Sequence, residues 1–170
     1  AVVERFTREA KSLYPGRYKR QALGFVRAEP EDTEALRRLA RASEAHWGYD
    51  EAFMENFDAG FNVTEDFIRC NPVYAAGDRG CPAAFWGIRQ DRDAWELEYF
   101  YVAEERLGRG LGKQMWEHMI GWCGKQGIGR IQFVTSPQAV GFYRKMGAVR
   151  DGETRSPVDG RPVPHFVYDV

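Results

Sequence analysis

Residues 105 to 113 read Glu-Arg-Leu-Gly-Arg-Gly-Leu-Gly-Lys and separate two runs of opposite periodicity. Before them, Trp95 to Val102 is aromatic and apolar, as suits a buried strand. After them, Leu111, Met115, Met119 and Trp122 recur at spacings of four, four and three, the stripe of an amphipathic helix. The glycines therefore mark a strand-to-helix turn. Gly108, Gly110 and Gly112 offer no side chain to cap the helix, so its first N–H groups are left for an anion. Arg106, Arg109 and Lys113 add positive charge where the helix dipole is already positive. A pyrophosphate would be well held there. The plainer reading, a tight turn with a solvated basic face, is of equal weight for such a run alone.

The chain has 170 residues, enough for one well-packed core and short for two domains. Net charge is −1 with both signs interspersed, which argues against a nucleic-acid partner. Cys70, Cys81 and Cys123 are odd in number and form no Cys-x-x-Cys pair, which predicts a reduced, cytoplasmic protein. His46, His118 and His165 have no metal-ligand spacing with them, so no metal is expected. No membrane span or export signal is read from the apolar pattern. Residues 1 to 21 are predominantly basic and read as an N-terminal arm to a domain of residues 22–170.

Within that domain the pattern predicts a strand at Leu23–Arg27 and a helix bearing Leu36, Leu39 and Ala40. Helices capped by Asp50 and Thr64 follow, then a hairpin of Val73–Ala76 with Ala83–Ile88. Beyond the long helix come a strand at Ile131–Val134 and a helix opened by Ser136-Pro137 and ended by Gly147. Its apolar face is Ala139, Phe142, Tyr143 and Met146, and a closing strand pair lies around a proline-rich loop. The fold class is α+β, a central mixed, mostly antiparallel sheet flanked by helices.

The order of elements, the glycine run and the later Ser-Pro-Gln-Ala-Val-Gly-Phe-Tyr-Arg-Lys-Met-Gly resemble the GNAT superfamily of N-acetyltransferases over roughly residues 22 to 170. The resemblance implies an acyltransferase in which acetyl-CoA binds where the central strands splay. Phe100, Tyr101 and Val102 would lie beside the pantetheine, and Leu107, Gly108, Arg109, Gly110, Leu111, Gly112 and Lys113 around the pyrophosphate. Gln138, Phe142 and Tyr143 would lie near the cofactor, Tyr143 close to the thioester. The family often has Gln or Arg where Leu107 stands and Asn where Gln138 stands. It also implies direct attack in a ternary complex by a primary amine of a small molecule or peptide. The acceptor would be walled by residues 46–57 and 156–165, including Trp47, Tyr49, Phe53 and His165. Exposed strand edges leave room for a homodimer.

An aliphatic ammonium, with a pKa of ~10.4, lies about 3.4 units above neutral pH, so exposing its lone pair costs roughly 4–5 kcal/mol. A base answers that demand. Strict strand alternation puts Glu96 and Glu98 on one face with Phe100 and Val102, and Glu98, closer to the splay, is favoured as base. A surface ion pair is the plainer role for either glutamate. Tyr143, protonated at neutral pH, suits an acid toward the leaving thiolate, a core aromatic being its plainer role. Two alternatives stand beside transfer: a catalytically silent acyl-CoA-binding module on the same fold, and a dinucleotide-binding domain. The second fits worst, because its fingerprint is Gly-x-Gly-x-x-Gly early in the chain.

Overall fold

The computed structural model describes residues 23–170, so the basic arm proposed for residues 1–21 lies outside the described residues. Seven strands form one sheet: β1 Phe25–Arg27, β2 Val73–Asp78, β3 Cys81–Asp91, β4 Ala94–Val102, β5 Arg130–Val134, β6 Val149–Arg155 and β7 Pro162–Asp169. Their spatial order is β1-β2-β3-β4-β5-β7-β6. Every neighbouring pair is antiparallel except β4 and β5.

Helices α1 Thr33–His46, α2 Glu51–Gly60 and α3 Glu65–Cys70 cover one face, with Leu36, Met54, Phe57 and Ile68 packed on Phe85 and Tyr99. Helices α4 Leu111–Lys125 and α5 Val140–Lys145 belong to the other face, where Met115, Trp116 and Met119 meet Trp86, Ile88, Ile131 and Phe166. Covered on both sides, β3 is buried without interruption from Pro82 to Ile88. Such a strand reads as a continuous apolar run rather than an alternating one.

Both caps expected from sequence form. The Asp50 carboxylate accepts from the Phe53 N–H at 2.8 Å and the Thr64 hydroxyl from the Phe67 N–H at 3.1 Å. Ser136 differs: its side chain makes no capping bond, and Pro137 opens a 3₁₀ turn, Pro137–Ala139, before α5 begins. Gly147 ends α5 at φ +95°, a backbone that glycine adopts without a Cβ penalty.

A bulge resets the alternation of β4. Gly87 pairs with Tyr99 but Ile88 pairs with Leu97, leaving Glu98 as the extra residue. Trp95 and Leu97 therefore pack on the same core as Phe100 and Val102. The expected shared face of Glu96, Glu98, Phe100 and Val102 is thus corrected: strict alternation does not run through Glu98.

Candidate functional site

The parallel ladder between β4 and β5 is a single pairing, Glu96 with Gln132. Past it the two strands part, and the opening is a cavity of about 720 Å³. That volume suits a small-molecule or cofactor site. Phe100, Tyr101 and Val102 line it from β4, and Val134 and Thr135 from the end of β5.

At one end lies the glycine loop. Gly108 and Gly110 take φ of +70° and +82°, and Gly110 opens α4 with no side-chain cap. A Cβ on Gly112 would stand 3.2 Å from the Phe142 ring, so the first turn of α4 approaches α5 as closely as glycine allows. Leu107, Gly108, Gly110, Leu111, Gly112 and Lys113 line the cavity, and Arg109 does not. Uncapped amides and αL glycines make a donor set that fits a pyrophosphate. Gln138 and Phe142 line the same region.

Tyr143 stands in the middle, its ring held among Phe133 at 4.6 Å, Phe142 at 5.2 Å, Phe100 at 5.8 Å and Trp116 at 5.9 Å. Its side chain lines the cavity, and no described residue hydrogen-bonds its hydroxyl. Burial, with a smaller contribution from Glu44, raises its pKa above the ordinary tyrosine value, so the hydroxyl keeps its proton.

The two glutamates of β4 part company. Glu98 lines the cavity and Glu96 does not. Arg89 joins them, donating from Nε to Glu98 at 2.5 Å and from Nη2 to Glu96 at 2.9 Å, and Gln132 donates to Glu96 at 3.3 Å. Burial raises the pKa of Glu98, Arg89 opposes that, and Glu96 reinforces it. The result is a carboxyl shifted toward the range useful for proton transfer.

At the far end, Trp47, Tyr49 and Phe53 line the cavity. His165 does not; its Nδ1 lies 3.1 Å from the Asp151 carbonyl oxygen on β6, because β7 register turns it to that strand.

Two charged lining residues, Glu44 and Arg161, are not singled out in the sequence, although Arg161 falls within the expected wall of residues 156–165. Glu44, on the last turns of α1, accepts a hydrogen bond from the Tyr101 hydroxyl at 2.7 Å. Arg161, in the β6–β7 loop, lies with its guanidinium carbon 4.4 Å from the centre of the Tyr49 ring. Glu44 falls four residues after Ala40 and eight after Leu36, on their stripe, and Arg161 falls within residues 156–165, but no periodic or motif signal marks either charge as facing a cavity rather than solvent. Burial raises the Glu44 pKa, with Tyr101 and Arg161 drawing it back.

A carboxyl whose folded pKa is raised contributes its stability below the unfolded pKa and loses it as pH rises through the folded one. Glu44→Gln, which keeps an acceptor for Tyr101, is therefore expected to raise stability at pH 8, on the order of 0.5–2 kcal/mol. The gain shrinks toward pH 4.5. Urea midpoints at the two pH values check this, and a variant less stable than wild type at pH 8 would refute it.

Among the described residues no helix is long and apolar enough to cross a membrane, and no cluster of three His, Cys, Asp or Glu could hold a metal ion.

Residues 33–148 match the family model described as the acetyltransferase (GNAT) family. Serotonin N-acetyltransferase 2 of Oryza sativa subsp. japonica, named as chloroplastic, is 30% identical over 129 residues, which are 76% of this chain and 52% of that protein. The chain spans about half the length of that curated relative. Among solved structures, the PaiA N-acetyltransferase of Thermoplasma acidophilum in complex with coenzyme A superposes at a TM-score of 0.72 with 17% identity, over 87% of this chain and 99% of that one. A GCN5-related N-acetyltransferase of Rhodopseudomonas palustris gives 0.70 and 18%, over 87% and 96%. At these identities the likeness is one of fold.

Proposed function

The chain belongs to the acetyltransferase (GNAT) family, and from that premise we propose that it transfers an acetyl group from acetyl-CoA to a primary amine of a small molecule or peptide. Both partners would be bound together and the amine would attack directly. One observation carries the reading: the uncapped glycine end of α4 and the unbonded hydroxyl of Tyr143 line a single cavity where β4 and β5 part.

Leu107 to Lys113 would hold the pyrophosphate, chiefly through backbone amides, with the β4 edge at Phe100–Val102 and the side chains of Gln138 and Phe142 along the pantetheine. Acetyl-CoA supplies the activated acetyl thioester when bound. Glu98 serves as base, taking the proton of the acceptor ammonium directly or through a water. What supports that role is its place in the cavity lining and its raised pKa; Glu96 shares the Arg89 contact and tunes it. Tyr143 holds a proton at Oη for the departing sulfur, whose thiol has a reference pKa of ~8.5. Trp47, Tyr49 and Phe53 form the acceptor wall, and His165 would act only from outside the lining.

Residues 22–170 would be the acetyltransferase domain, with the basic segment 1–21 as an arm to it. Exposed edges at β1 and β6 leave a homodimer open to test. Three free cysteines support a reducing compartment, which we take to be the cytoplasm, although the plant relative is named as chloroplastic.

The melting temperature tests the cofactor directly. Acetyl-CoA at a hundredfold excess over its Kd stabilises by ~2.7 kcal/mol, a rise of roughly 5–10 °C for a domain of this size. NADH is expected to give no rise. A shift with NADH alone, or with neither, would overturn the reading.

A further inference from the structure

We propose that the acceptor is an amine that also carries a carboxylate, of the amino-acid class, with Arg161 binding the carboxylate and Glu44 the ammonium. The inference rests on the acetyl-transfer reading and concerns the far end of the same cavity.

Arg161 is held in place from several sides. The Asp159 carboxylate accepts from its backbone N–H at 3.2 Å, and its carbonyl accepts from the Ser156 N–H at 2.7 Å. Its guanidinium carbon is 4.4 Å from the Tyr49 ring centre and 5.2 Å from that of Phe53, two rings themselves stacked at 4.1 Å. Such stacking fixes a planar guanidinium while leaving its N–H edges for a planar anion.

Those edges carry one long ion pair and no hydrogen bond to a described residue. No described residue accepts a hydrogen bond from the Arg161 side chain; Asp159 Oδ2 approaches Nε only at 3.5 Å, and Nε is buried. The Tyr49 hydroxyl beside it is buried and equally without a partner. A cation and a hydroxyl with unspent donors, both lining one cavity, are complementary to a carboxylate.

Glu44 supplies the opposite charge. It lines the cavity, is bonded only by Tyr101, and forms no ion pair with any described cation, Arg161 included. The charges of Glu44 and Arg161 are therefore not cancelled by contact. A simple amine would pair Glu44 and leave Arg161 with only its long ion pair to Asp159, and a simple anion would pair Arg161 and leave Glu44 with only the Tyr101 hydroxyl. A zwitterion matches both, whereas a ligand with one charge leaves the other group incompletely matched.

The test pairs each acceptor with its decarboxylated counterpart: phenylalanine with phenethylamine, tryptophan with tryptamine, 5-hydroxytryptophan with serotonin, leucine with isopentylamine. Each is offered to the protein saturated with CoA, read as a melting shift, and then with acetyl-CoA, read as KM. At least one amino acid is expected to bind about tenfold to a hundredfold more tightly than its amine, the loss usual for a hydrogen-bonded charged partner. Arg161→Met is expected to remove that preference while keeping the CoA-induced melting shift, which shows the variant folded. Amines bound as well as or better than their amino acids would overturn the proposal, as would a preference that survives in Arg161→Met. A CoA shift with no response to any amino acid would overturn it too, leaving the cofactor reading standing. Failure of the CoA shift itself would count against the cofactor reading, and amino-acid shifts in the free protein would still judge the Arg161 site separately.

Discussion

Tyr143→Phe is expected to lower kcat by about 10²- to 10⁴-fold, the range of a positioned acid, while the melting temperature and the Kd for acetyl-CoA stay near wild type. The separation follows from the site. Five aromatic rings hold the Tyr143 ring, and phenylalanine keeps all of those contacts. The hydroxyl bonds no described residue, so removing it breaks nothing in the fold. Glu98→Gln is expected to act on the other proton, lowering kcat/KM most below pH 8, where more of the acceptor is ammonium. Single-turnover assays across pH separate the two effects. Turnover unchanged by both substitutions would remove these residues from the chemistry; tight acetyl-CoA binding without turnover in the wild type would instead mark a silent acyl-CoA-binding module.

Local signals made most of the fold legible. Asp50 and Thr64 are capping residues whose bonds depend only on the next three residues, and they form as read. The glycine run announced its turn because left-handed backbone at Gly108 and Gly110 needs residues of that kind. What failed was decided by tertiary structure. The bulge at Glu98 arises from pairing with β3, beside Gly87, where a Cβ would stand 3.1 Å from the Tyr99 ring and 3.2 Å from that of Phe67. No window of β4 alone contains that information. Ser136 lost its expected cap when Pro137 opened a 3₁₀ turn instead. His165 turned toward Asp151 because of strand register. Glu44 and Arg161 are 117 residues apart, and only the packing of α1 against the β6–β7 loop brings both to one cavity. Charged residues have no sequence mark that separates a cavity wall from a solvated face.

Gly110→Asp is expected to abolish acetyl-CoA binding with little loss of fold. Gly110 precedes Leu111 at the start of α4, at φ +82°, a conformation that Asp and Asn visit more readily than other residues with side chains. A carboxylate there faces the place where phosphate oxygens would sit. Two like charges ~4 Å apart at an effective dielectric of ~20 repel by about 4 kcal/mol, close to a thousandfold in Kd. Gly110→Asn has the same shape without the charge and separates electrostatics from backbone strain. Both variants should melt at similar temperatures in the free state, but only the Asn form should retain part of the acetyl-CoA shift. Rising salt should partly restore the Asp variant, because screening weakens repulsion between exposed charges. An Asp variant that binds acetyl-CoA as wild type does would mean that the phosphates lie elsewhere, and the glycines of residues 105 to 113 would then be only a turn between a strand and a helix.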